Sequence, residues 1–153
     1  MFNIVLFEPE IPPNTGNIIR LAANTSCQLH LIEPLGFQLD EKKLKRAGLD
    51  YHEFANVNTY SNFDDFLAKN NNINLYALST KGTKVYSDID FEAGDFFIFG
   101  PETRGLPESI LYSKHLTELV TLPMAKNSRS LNLSNTVAIV TYEALRQNNF
   151  EID

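Results

Sequence analysis

DFFIFGPETRGLP, Asp95 to Pro107, opens with four consecutive apolar residues and ends in a tight turn. Such a run, fenced by Asp on one side and Gly-Pro on the other, is the pattern of a strand buried on both faces, as in the middle of a parallel sheet. Working outward, FNIVLF (Phe2 to Phe7), QLHLIE (Gln28 to Glu33), NLYALST (Asn74 to Thr80) and ELVTLP (Glu118 to Pro123) read as further strands. Helical spacing is predicted from about Thr15, near Asp40 to Ala47, over Asn62 to Lys69, near Glu108 to Tyr112, and from about Ser134 to Gln147. Strands alternating with helices predict an α/β fold, a mainly parallel sheet flanked by helices on both faces. The 153 residues suit a single domain spanning 1–153, with neither repeat nor linker.

Several function classes fall away. No apolar run approaches the roughly 20 residues of a membrane span, and the start lacks a basic segment followed by an apolar stretch, so a cytoplasmic protein without a membrane partner is expected. One cysteine, Cys27, and three scattered histidines give neither a disulfide nor metal-ligand spacing, so no metal is expected. The turn after the first strand, EPEIPPNTGN, carries three prolines and one glycine, unlike a glycine-rich dinucleotide loop. The net charge of −6 argues against general polyanion binding, yet Lys42, Lys43, Lys45 and Arg46 form a local basic patch. KKLKR also reads equally well as the solvated face of a helix.

In α/β folds ligands sit beyond the carboxyl ends of the strands, where three unusual loops are expected. In NTGNIIR, Asn14 or Thr15 is expected to cap the helix, with Arg20 one to two turns in, placed to hold an anion. In FGPETRGLP, Gly100 permits close ligand approach and the second glycine a positive φ, while Glu102 and Arg104 are able to pair with each other. In LPMAKNSRSLNLSN, Ser130, Asn132, Ser134 and Asn135 offer more hydrogen-bonding groups than one helix start requires. The helix that follows is apolar on more than one side and needs two surfaces to cover it.

These three segments, in this order and spacing, resemble the three signature motifs of the SPOUT class of RNA methyltransferases, over nearly the whole chain. FEPEIPPNTGNIIR and RSLNLSNTVAIVTYEALRQ are most similar to those members that methylate the ribose 2′-oxygen of the wobble cytidine or uridine of tRNA. The resemblance implies a deep C-terminal trefoil knot, S-adenosylmethionine as methyl donor, tRNA and not DNA as partner, and a homodimer formed through the C-terminal helix. It also implies cofactor positions at Leu78, Gly100, Leu122 and Ser130, a catalytic Arg20, and substrate-positioning residues Asn14, Glu102 and Asn132. A methyltransferase for another tRNA or rRNA site, or a non-catalytic RNA-binding module, are the alternatives.

Overall fold

The apolar runs become strands where β-branched and aromatic side chains fill both faces of one sheet. The computed structural model describes all residues, Met1–Asp153. In chain order the elements are β1 (Asn3–Phe7), α1 (Pro12–Asn24), β2 (Gln28–Ile32), α2 (Glu41–Arg46), α3 (Tyr51–Phe54), β3 (Val57–Tyr60), α4 (Phe63–Lys69), β4 (Leu75–Leu78), β5 (Lys84–Val85), β6 (Phe96–Phe99), α5 (Glu108–Leu111), β7 (Glu118–Thr121) and α6 (Leu133–Gln147). The seven strands form one sheet, ordered β3-β2-β1-β6-β4-β7-β5, and every pairing is parallel.

β6 lies between β1 and β4, as its unbroken apolar run predicts, and all four of its residues are buried. The register sets Leu6 opposite Phe99, Phe99 opposite Leu78, and Leu78 opposite Val120. The carboxyl ends of β1, β6, β4 and β7 therefore finish side by side, and the loops leaving them share one edge of the sheet. On one face, Ile4, Leu6, Phe97 and Phe99 pack with Ile18 and Ile19 of α1 and Val137, Val140 and Ala144 of α6. On the other, Val5, Phe96 and Ile98 pack with Phe66 of α4 and Ile110 and Leu111 of α5.

β3 and β5 are absent from the sequence reading. β3 exposes two polar residues at a sheet edge, and β5 has only two residues, so neither carries an apolar signal. The start of α1 also corrects the expectation. The helix begins at Pro12, Ile11 occupies the cap position, and no side chain of the segment itself caps it. Prolines at the first two helical positions remove two N–H groups that would need partners. No helix is long and apolar enough to cross a membrane. Cys27 is buried, and burial pushes its thiol pKa up, which disfavours the reactive thiolate.

His30 is buried among Tyr60, Phe66 and Phe96. Its neutral ring is satisfied with Nε2–H donating to Asn3 Oδ1 at 3.0 Å and Nδ1 accepting from the Tyr60 hydroxyl at 2.8 Å. Desolvation lowers its pKa from 6.5 to about 4. A depressed histidine contributes stability that is complete above the unfolded value and is lost as pH falls from 6.5 toward 4. The expected loss is roughly 2 kcal/mol at pH 5 and about 3 kcal/mol once the folded value is passed. Urea unfolding at stepped pH measures it, and His30→Gln should flatten the slope between pH 6.5 and 5. An equal slope in both proteins rejects the assignment.

Candidate active site

The three loops meet at a cavity of about 460 Å³ on the carboxyl edge of the sheet. Leu78, Gly100 and Leu122 form part of its wall, and Ser130 stands exposed at its margin. Asn14, Glu102 and Asn132 line it as well. Seven of the eight site residues expected from the sequence thus surround one space.

Glu102 is the centre of the polar wall. One carboxylate oxygen accepts from the Glu10 amide at 2.8 Å; the other accepts from the Ile11 amide at 2.8 Å and from Asn14 Nδ2 at 3.2 Å. The carboxylate missing from the first turn of α1 is therefore supplied by the loop after β6, where negative charge favours the helix start. This leaves the Asn14 side chain free of capping duty, and its Oδ1 accepts from Asn132 Nδ2 at 3.0 Å. Asn132 in turn caps α6, accepting from the Asn135 amide at 3.3 Å. A single chain of hydrogen bonds joins all three loops.

A second clamp runs the other way and was not expected from sequence. Glu10 Oε1 accepts from the Thr103 amide at 2.9 Å and the Thr103 hydroxyl at 2.7 Å. The Thr103 amide is the main reason the Glu10 pKa lies below the usual carboxylate range. Arg104 does not pair with Glu102. It reaches Glu8 at 3.3 Å and Glu10 at 3.7 Å, tying the same two loops again. The only sequence signal for this is the acidic spacing of FEPE, which is indistinguishable from an exposed turn.

Arg20 is not brought to the cavity. Six residues beyond Asn14, it stands about 9 Å further along α1 and on another flank of the helix. Its guanidinium donates from Nε to Glu53 at 2.8 Å and from a terminal nitrogen to the Gly48 carbonyl. The Glu53 hydrogen bond raises the Arg20 pKa above its already high ordinary value and lowers that of Glu53. Arg20 is thus a fixed cation. No cluster of three His, Cys, Asp or Glu side chains is placed to hold a metal ion.

The sequence profile of the SpoU rRNA methylase family matches residues 1–142, nearly all of the chain and every loop described above. The chain belongs to the SpoU rRNA methylase family. It is 58% identical over 150 residues to the tRNA (cytidine(34)-2′-O)-methyltransferase of Saccharophagus degradans, covering 98% of this chain and 97% of that one. Among solved structures it superposes with a TM-score of 0.90, at 41% identity and over 99% of this chain and 98% of the other, on a protein described for 2-OH methylation of C/U34 on tRNA. A SpoU methyltransferase from Streptomyces viridochromogenes, AviRb in complex with AdoMet, shares the fold at 24% identity and a TM-score of 0.81, over 96% of this chain and 57% of that one.

Proposed function

We propose that this chain is a tRNA 2′-O-methyltransferase that carries a methyl group from S-adenosylmethionine to the ribose of cytidine or uridine at position 34, acting in the cytoplasm as one domain. The observation that carries this reading is the hydrogen-bonded convergence of Asn14, Glu102 and Asn132 at one cavity, in a chain so similar to enzymes named for that reaction. The cavity suits the cofactor. Its size lies in the range of small-molecule sites. Gly100 brings main chain against main chain, since a Cβ there would lie 2.3 Å from the Leu106 nitrogen. Leu78 and Leu122 offer apolar surface for the adenine, and Ser130 and Asn132 offer polar groups for the rest. Bound there, S-adenosylmethionine supplies an activated methyl group on a sulfonium centre.

The trefoil knot belongs to the same reading. Its support is the closeness with which the chain passes itself: a Cβ on Gly82 would lie 2.4 Å from the Val120 carbonyl carbon. Homodimerisation has its own support. α6 buries Val137, Val140 and Ala144 against the sheet while Ile139 and Tyr142 remain 37% and 46% exposed on another side. A second copy seated on that side is the arrangement that lets Arg20 of one protomer serve the cavity of its partner.

Arg20 acts as a charge and not as a base. A guanidinium is almost never deprotonated in a protein, and Glu53 holds this one further from deprotonation. Its role is to stabilise negative charge on the ribose oxygen and to grip the neighbouring phosphate, with the proton leaving to phosphate or water. The test is incubation of the purified protein with labelled S-adenosylmethionine and total tRNA from a strain lacking the gene, followed by nucleoside mapping. Labelled 2′-O-methylcytidine or 2′-O-methyluridine is expected. Label on a base, or no label in tRNA, overturns the reading.

A further inference from the structure

α1 has a second recess on the flank turned away from the cavity, with a volume of about 370 Å³. Phe37, Leu39, Leu44 and Leu49 make its apolar walls. Arg20 and Lys43 bring two cations to it, and the amide side chains of Asn17 and Gln38 line it too. Thr15, 1% exposed, also lines the recess, and its hydroxyl has no hydrogen-bond partner. Lys43 makes no ion pair, and neither do Lys42 and Arg46 on the same short helix. An apolar slot with one unpaired cation, Lys43, at its edge and the Glu53-held guanidinium of Arg20 beside it complements a flat heterocycle carried on a phosphate.

We propose that this recess receives the base of the target pyrimidine, swung out of the RNA loop, with its ribose against Arg20 and its phosphate facing Lys43. The inference rests on the tRNA methyltransferase reading and adds a place for the target base. Enzymes acting on a nucleotide inside a structured RNA reach it by extruding it into a pocket. Arg20 belongs to this slot, so the guanidinium at the ribose and the pocket for the base are one unit, to which the partner's cavity presents the methyl donor.

The polar groups also account for acceptance of both pyrimidines. Cytosine offers an acceptor at N3 beside a donor at C4, and uracil the reverse. A side-chain amide carries a carbonyl and an NH2 at the same reach, so turning it over satisfies either base. Asn17 and Gln38 therefore read a pyrimidine edge without choosing between the two.

Gly16 gives a clean test. It lines the recess, lies inside α1, and a Cβ there meets nothing within 4 Å. Gly16→Leu fills the slot while favouring the helix. The measurements are methylation of anticodon stem–loops bearing cytidine or uridine at the target position, S-adenosylhomocysteine binding by calorimetry, and thermal melting. Expected for Gly16→Leu is a rise in RNA KM of about tenfold or more on both substrates, with S-adenosylhomocysteine affinity unchanged and melting no lower. Gln38→Leu, at an exposed position, should lower kcat/KM on both pyrimidines by roughly fivefold or more, with their ratio preserved. Wild-type RNA KM in Gly16→Leu overturns the proposal, as does a matching loss of S-adenosylhomocysteine affinity, which would trace the effect to the cavity. A wild-type protein inert on stem–loops and on whole tRNA overturns the methyltransferase reading itself, a different result from either.

Discussion

Arg20→Ala is expected to lower turnover by at least about 10²-fold, the size of effect seen when one preorganised donor to a developing oxyanion is removed. Arg20→Lys should keep part of the activity, because an ammonium still supplies charge but lacks the fork that grips oxygen and phosphate together. Neither variant should change S-adenosylhomocysteine affinity, since Arg20 contributes nothing to the cavity wall. The guanidinium is held in place by Glu53 and the Gly48 carbonyl, so its position is set before substrate arrives. Unchanged turnover in Arg20→Ala removes Arg20 from the reaction.

The same residue reports whether the site is shared between protomers. When Arg20→Ala is mixed and re-equilibrated with a cavity-disabled variant such as Gly100→Ala, a hybrid dimer has one site with an intact cavity and an intact arginine only if they come from different chains. Half of the dimers are hybrids and one of two sites in each is whole, so about a quarter of wild-type activity should return. An arginine acting within its own protomer gives no recovery at all.

How much of this was legible in the sequence varied with the kind of signal. β6 and β1 announced themselves because a strand buried on both faces must be apolar there, as FFIF and the buried IVLF of β1 are. The loops were legible as loops, with their polar excess, because the chain there spends Asn, Ser and Glu where a core cannot hold them. The arrangement of those groups was not legible. Local reading made Asn14 or Thr15 the helix cap, since cap preferences are learned from neighbours in sequence. Ile11 takes the cap position instead, and the carboxylate beside it is that of Glu102, about ninety residues away, which accepts from the Ile11 amide and from Asn14 Nδ2 while Asn14 Oδ1 bonds Asn132. Arg20 and Asn14 lie in one motif, yet helical geometry sends them to different flanks, so one lines the cavity and the other the second recess.

Gly100→Ala should be the most damaging single-atom change to the cavity. The residue stands where β6 hands over to the loop that carries Glu102, and a Cβ there would lie 2.3 Å from the Leu106 nitrogen and 2.4 Å from the Gly105 carbonyl carbon. Both obstacles are main chain, so no side-chain rotation relieves them and the loop must move. Movement of that loop displaces Glu102 from the Glu10 and Ile11 amides and breaks the link through Asn14 to Asn132. A shift of about 1 Å in a site of this kind can cost roughly 10²-fold, and a loss of S-adenosylhomocysteine affinity of at least that order is expected by calorimetry. Gly105 makes the control. Its φ of +67° favours glycine, but a Cβ there meets nothing within 4 Å, so Gly105→Ala carries only the backbone strain of about 1 kcal/mol. If Gly105→Ala weakens the cofactor as much as Gly100→Ala does, backbone strain and not the close main-chain packing of the turn governs the cavity, and the role given to Gly100 fails.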